Sequence, residues 1–146
     1  MSELPLHPLP PEFQFFFDDP NDPKRPPDQV EVRELRAEVL SHHRVRVYLV
    51  LSPYEQRPHI ELDILNAQGQ IVGHLSIVEP LNPRMDFVLY LREDAPQGRY
   101  RVVASVQYPP PGFKFRLPEG DDEPVELALP EMREVTRAET EFTIGA

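Results

Sequence analysis

Tyr100-Arg101-Val102-Val103-Ala104-Ser105-Val106-Gln107-Tyr108 is the longest unbroken alternating run in the chain. Tyr100, Val102, Ala104, Val106 and Tyr108 fall on one side, and Arg101, Val103, Ser105 and Gln107 on the other. That period of two belongs to an extended strand and not to a helix, whose faces repeat every 3.6 residues. Pro109-Pro110-Pro111 ends the run, because proline cannot donate to a sheet ladder.

The same pattern recurs on the N-terminal side. Phe87, Leu89 and Leu91 alternate with Asp86, Val88 and Tyr90, and the turn Glu93 to Gly98 joins them to the long strand. Further back, Ile60, Leu62 and Ile64 alternate with Glu61, Asp63 and Leu65, and Ile71 to Val78 returns after Asn66-Ala67-Gln68-Gly69. The last four residues read as a hairpin turn with Gly69 at positive φ. Val45, Val47, Leu49 and Leu51 alternate with Arg44, Arg46, Tyr48 and Val50, and Pro53 closes that run. Val30 and Val32 are out of phase with Leu35, Ala37 and Val39, which predicts a bulge near Arg33-Glu34. A helix from Val32 to Leu40 competes there, since Glu, Leu, Arg and Ala favour helices; strand is the preferred reading. A final strand is expected from about Val135 to Ile144, with Ala138, Phe142 and Ile144 sharing a face.

About seven short strands separated by turns, with no strong amphipathic helix, define an all-β protein. An up-and-down barrel fits the alternation as well, but the long excursion between Tyr108 and Val135 suits a strand-exchanging sandwich. Val47, Leu49, Ile60, Leu62, Phe87, Leu89, Tyr100, Val102 and Ala104 are expected in one core, and Glu61 on the opposite face is expected to contribute little.

The stretch Leu91-Arg92-Glu93-Asp94-Ala95-Pro96-Gln97-Gly98-Arg99-Tyr100-Arg101-Val102-Val103-Ala104 resembles the turn and penultimate strand of fibronectin type III and bacterial immunoglobulin-like domains. The resemblance covers about residues 30 to 108 and 135 to 144. It implies an immunoglobulin-like β-sandwich of about seven strands in two antiparallel sheets, with the Tyr100 hydroxyl anchored on nearby backbone. The core Trp and paired Cys of antibody domains are missing, and so wide a superfamily carries no single function with it.

Composition excludes several classes of partner and chemistry. The 146 residues carry a net charge of −10, which opposes a phosphate-backbone partner, so nucleic acid is not expected. There is no cysteine, which removes disulfides, thiolate metal sites and thiol nucleophiles. No basic and then apolar leader opens the sequence and no apolar run spans a membrane, so a cytoplasmic protein without a membrane span is expected. Of the 19 prolines, eight lie between Pro5 and Pro27 and six between Pro109 and Pro130. The expected organisation is therefore a Pro-rich extended segment over 1–28 packing on or near the domain, then a sandwich over 29–146 with a long Pro-rich loop at 109–134.

Candidate chemistry is sparse. His42-His43, with His59 near on an adjacent strand end, is the one histidine cluster, and a polar turn explains it better than a metal. Glu119 with Asp121-Asp122-Glu123 lacks the alternation of a calcium loop. None of Ser2, Ser41, Ser52, Ser76 and Ser105 lies in a nucleophile motif, and no Gly-rich phosphate loop is present. No catalytic residue, metal site or cofactor is expected, and the chain reads as a non-enzyme.

Two Pro-preceded aromatic islands stand out, one containing Phe13, Phe15, Phe16 and Phe17, the other Phe113, Lys114, Phe115 and Arg116. Both are expected to cap the core or to form an adhesive patch, and to meet each other, with Glu12, Asp18 and Asp19 facing Lys114 and Arg116. The expected function is a protein–protein interaction module that binds an unknown protein partner or itself through an exposed sheet edge or these islands. The alternative is a ligand-binding accessory module, for example for carbohydrate, with Tyr48, Tyr54 or Tyr90 stacking on a sugar.

Overall fold

A computed structural model describes residues 21–112 and 131–145. It contains seven strands: β1 (Val32–Val39), β2 (Arg44–Leu51), β3 (His59–Leu65), β4 (Ile71–Val78), β5 (Arg84–Tyr90), β6 (Gly98–Tyr108) and β7 (Arg133–Ile144). They form two antiparallel sheets, one in the order β1-β2-β5 and the other β4-β3-β6-β7. The single helical turn among the described residues is Pro27–Gln29. The strand preferred over the helix at Val32 to Leu40 is therefore present, and its register shifts between Val32 and Glu34 where the phase slip lies.

Alternation is what makes these strands a sandwich. On β2 the side chains of Val45, Val47, Leu49 and Leu51 are buried, facing Ile60, Leu62 and Ile64 of β3 and Tyr100, Val102, Ala104, Val106 and Tyr108 of β6. Every residue of the expected core is in it, with Phe87 packed against its border instead of fully buried. Burying a Leu or Ile side chain of this kind contributes about 1.5–3 kcal/mol, so this inner layer is the main source of stability.

Turns and irregularities set the register. Gly69 closes the β3–β4 hairpin at φ 79°, and Asn66 Oδ1 accepts from the backbone N–H groups of Gln68 and Gln70. The β3–β4 register shifts between Ile64 and Leu65, leaving Val72 as an extra residue on β4. A second shift at Val106/Gln107 leaves Val135 unmatched, so β7 starts at Arg133, earlier than expected. Val135 itself packs on the core, which explains why the alternation reads from there.

Tyrosine hydroxyls tie the loops down. Tyr54 donates to the Pro80 carbonyl at 2.7 Å and Tyr108 to the Gln56 carbonyl at 2.8 Å. Tyr100 departs from the expected backbone anchor: its hydroxyl donates to the carboxylate of Glu93, a stronger acceptor than a carbonyl. The segment before β1 is also held. Arg25 N–H donates to the Pro53 carbonyl and its own carbonyl accepts from Glu55 N–H, Asp22 pairs with Arg33, Asp28 pairs with Arg133, and Val30 is buried. No helix of the described residues is long and apolar enough to cross a membrane.

Candidate interaction edge and the polar array beside it

The eight residues singled out in the two aromatic islands, Phe13, Phe15, Phe16, Phe17, Phe113, Lys114, Phe115 and Arg116, lie outside the described residues, as does the acidic run Glu119 to Glu123. The described residues offer four strand edges instead. β1 and β7 lie against each other on one flank of the sandwich. β4 and β5 form the other flank, where Arg92, just after β5, donates its N–H to the Val72 carbonyl at 2.8 Å.

An unpaired edge recruits other strands unless charge or proline blunts it. β1 carries Arg33, Glu34, Arg36 and Glu38, β5 carries Arg84 and Asp86, and β7 carries Arg133, Glu134, Arg137, Glu139 and Glu141. β4, Ile71-Val72-Gly73-His74-Leu75-Ser76-Ile77-Val78, contains no Asp, Glu, Lys, Arg or Pro. Ile71 is 56% and Val78 50% exposed.

The direction of its free hydrogen-bonding groups follows from one bond. Glu79 N–H donates to the Pro58 carbonyl at 3.0 Å, so the pair 58/79 is hydrogen-bonded and alternation makes Ile60/Ile77 and Leu62/Leu75 bonded too. The N–H and C=O groups of His74, Ser76 and Val78 therefore point away from β3, and no strand among the described residues pairs with them.

A polar array covers the outer face where β4 meets β3. The Glu61 carboxylate lies 2.5 Å from His59 Nε2 through Oε1 and accepts the Ser76 hydroxyl at 2.6 Å through Oε2. His74 Nε2 is 3.1 Å from both Ser76 Oγ and Glu61 Oε2, and its Nδ1 is 2.6 Å from Asp63 Oδ1. Burial pushes the Glu61 carboxyl up. The hydrogen bonds from Ser76 and His59, with the charges of His59 and His74, outweigh that and leave it below its ordinary value. Glu61 is thus the junction of the array and not a passive surface acid, and His59, only 1% exposed, rests against it.

This array was not foreseen. Asp63, His74 and Ser76 are spaced like an orienting acid, a base and a hydroxyl, but Ser76 gives its proton to Glu61, so the arrangement ties β3 to β4 instead of activating an oxygen. No group of three or more His, Cys, Asp or Glu residues able to hold a metal occurs among the described residues.

Other expected neighbours are apart. His43 sits at the start of β2 with Nε2 3.0 Å from the Glu93 carbonyl, beside the Asn66 turn, whereas His59 begins β3 at the far end, about 20 Å away at ~3.3 Å per residue. His59 is therefore apart from His42 and His43. Of the three tyrosines named for sugar stacking, Tyr54 is buried, and Arg36 and Arg46 stand 4.5 and 5.5 Å from the ring centroid of Tyr48. Tyr90 is 61% exposed, with His43 stacked on it at 5.4 Å. No protein-family model matches the chain, and no curated protein matches it.

Proposed function

We propose that this protein is a non-enzymatic interaction module that associates with a second copy of itself by antiparallel pairing of β4 with β4. The observation that carries the reading is the lack of Asp, Glu, Lys and Arg on β4, in contrast to the other three edges. A net charge of −10 repels two copies in general, and β4 is the edge on which no acid stands. A twofold axis through Ser76 sets His74 opposite Val78 of the second copy, with no like charges facing. Main-chain groups of His74, Ser76 and Val78 then form about six hydrogen bonds, two for each facing pair, and the two sheets become continuous.

The strand order supports an immunoglobulin-like frame for the module. Strands one, two and five form one sheet and three, six and seven the other, as in constant-type domains, but here the fourth strand joins the second sheet. The same reading sets the protein in the cytoplasm, where a chain with no cysteine needs no oxidising compartment.

Sedimentation over a range of concentrations tests the proposal. The wild type is expected to shift from monomer to dimer. Val78→Pro and Val78→Lys are expected to remain monomeric with a melting temperature close to wild type, because the Val78 N–H faces away from β3. A wild type that stays monomeric at about millimolar concentration, or a dimer that survives both substitutions, overturns it.

A further inference from the structure

The outer face of the β1-β2-β5 sheet has a charge pattern unlike the rest of this acidic chain. Arg36, Arg44, Arg46 and Arg84 all project from it, interspersed with Glu34, Glu38 and Asp86. Arg36 is engaged by Glu34 at 2.5 Å. Arg44 and Arg46 make no ion pair among the described residues. Glu38 is the cross-strand partner of Arg46, yet its carboxylate accepts the Tyr48 hydroxyl at 3.0 Å, while Arg46 Nε is buried without a hydrogen-bond acceptor.

These two guanidinium groups are two residues apart on one strand face, about 7 Å at ~3.4 Å per residue. Apolar surface flanks them. Tyr90 is the partner of Arg44 and Val88, 54% exposed, the partner of Arg46. The stack of His43 on Tyr90 holds that ring in place. Arginines that make no ion pair, beside exposed Tyr and Val, are the composition of a binding centre more than of a solvated face.

We infer that this face binds an extended acidic polypeptide with Asp or Glu at alternate positions. Such a segment repeats same-side carboxylates at the spacing of Arg44 and Arg46, and bidentate pairing suits both arginines. Its remaining atoms lie over Tyr90 and Val88. A nucleic-acid strand fits less well, because such binding relies on many basic contacts and only Arg44 and Arg46 are offered to it as a pair on this face. The face lies on the sheet that does not contain β4, so the inference stands apart from self-pairing.

The probe is a fluorescein-labelled peptide of about ten residues alternating Glu and Thr. Anisotropy is read in about 0.1 M salt, where screening beyond ~10 Å mutes the chain's remaining negative charge. The full chain is expected to bind saturably, and Arg44→Gln with Arg46→Gln to weaken binding at least about tenfold. Arg99→Gln, on the other sheet, should leave it unchanged. Arg44→Lys with Arg46→Lys, which keeps both charges, is expected to fall between wild type and the glutamine pair. Absence of saturable binding, equal affinity of wild type and the glutamine pair, or tighter arginine-dependent capture of a labelled oligothymidylate of equal length each overturns the inference.

Discussion

The Tyr100 hydroxyl donates to Glu93 Oε1 at 2.6 Å, while Oε2 of the same carboxylate accepts from Asn66 Nδ2 at 3.3 Å. One acidic side chain thereby joins the β3–β4 turn, the β5–β6 turn and the first inward residue of β6. Hydrogen bonds to charged groups are stronger than neutral ones, about 1.5–3 kcal/mol. Tyr100→Phe and Glu93→Ala are each expected to lower stability by about 1–3 kcal/mol, and the double substitution by less than the sum, since the two share one bond. Urea unfolding midpoints measure this, and full additivity would show that the bond contributes nothing.

Alkaline pH should act on the same tyrosines. Burial pushes Tyr54 up to about 12, against the smaller opposing charge of Arg57. Burial, then the hydrogen bond and charge of Glu93, push Tyr100 up to about 12. Both hydroxyls are protonated in either state below the ordinary value of 10, so their contribution is constant there. Above it the unfolded chain releases protons first, and stability is lost as pH rises from 10 to 12. Tyr100→Phe should flatten that decline, as followed by the melting temperature across the window.

Leu62 and Glu61 are neighbours on opposite faces of β3, and both matter for different reasons. Leu62→Ala removes a buried side chain and should cost about 2–5 kcal/mol. Glu61→Ala leaves His59 against an absent acceptor and should cost about 1–3 kcal/mol, more than a solvent-facing acid would. The Glu61 carboxyl lies below its ordinary value, so its share is present above that value and fades as pH falls through the lowered one. Acid titration of the wild type against Glu61→Ala should therefore converge at low pH.

Hydrogen exchange reads the β4 edge directly. The amides of Leu75 and Ile77 bond to β3 and should exchange slowly, whereas those of His74, Ser76 and Val78 should exchange fast in dilute protein. In concentrated protein the second set is expected to slow. If all five exchange alike at every concentration, the alternation derived from the Glu79–Pro58 bond is wrong.

The core was legible because Val45 to Leu51, Ile60 to Ile64 and Tyr100 to Tyr108 each repeat at two residues, a signal local to the strand. The polar array was not, for a reason that one residue explains. Counting outward from the Asn66–Gly69 turn through the pair Leu65/Ile71 sets Asp63 opposite Gly73 and turns His74 inward. The bulge at Val72 slips the register by one and turns His74 out against Asp63. Nothing in Ile71-Val72-Gly73 announces that slip except the glycine, which is a weak sign. The separation of His59 from His42 and His43 was hidden likewise, since it depends on which end of the sandwich each strand starts from.

The charges on β1, β5 and β7 also bear on how large any assembly becomes. A heterologous contact repeats without limit and yields filaments, whereas an isologous one consumes both of its surfaces at once. Once two β4 strands have met, a third molecule would have to add along Arg84 and Asp86, along the ionic rows of β1, or along those of β7. Those rows favour water over a further strand, so on the proposed pairing growth is expected to end at a finite, closed pair instead of a fibre.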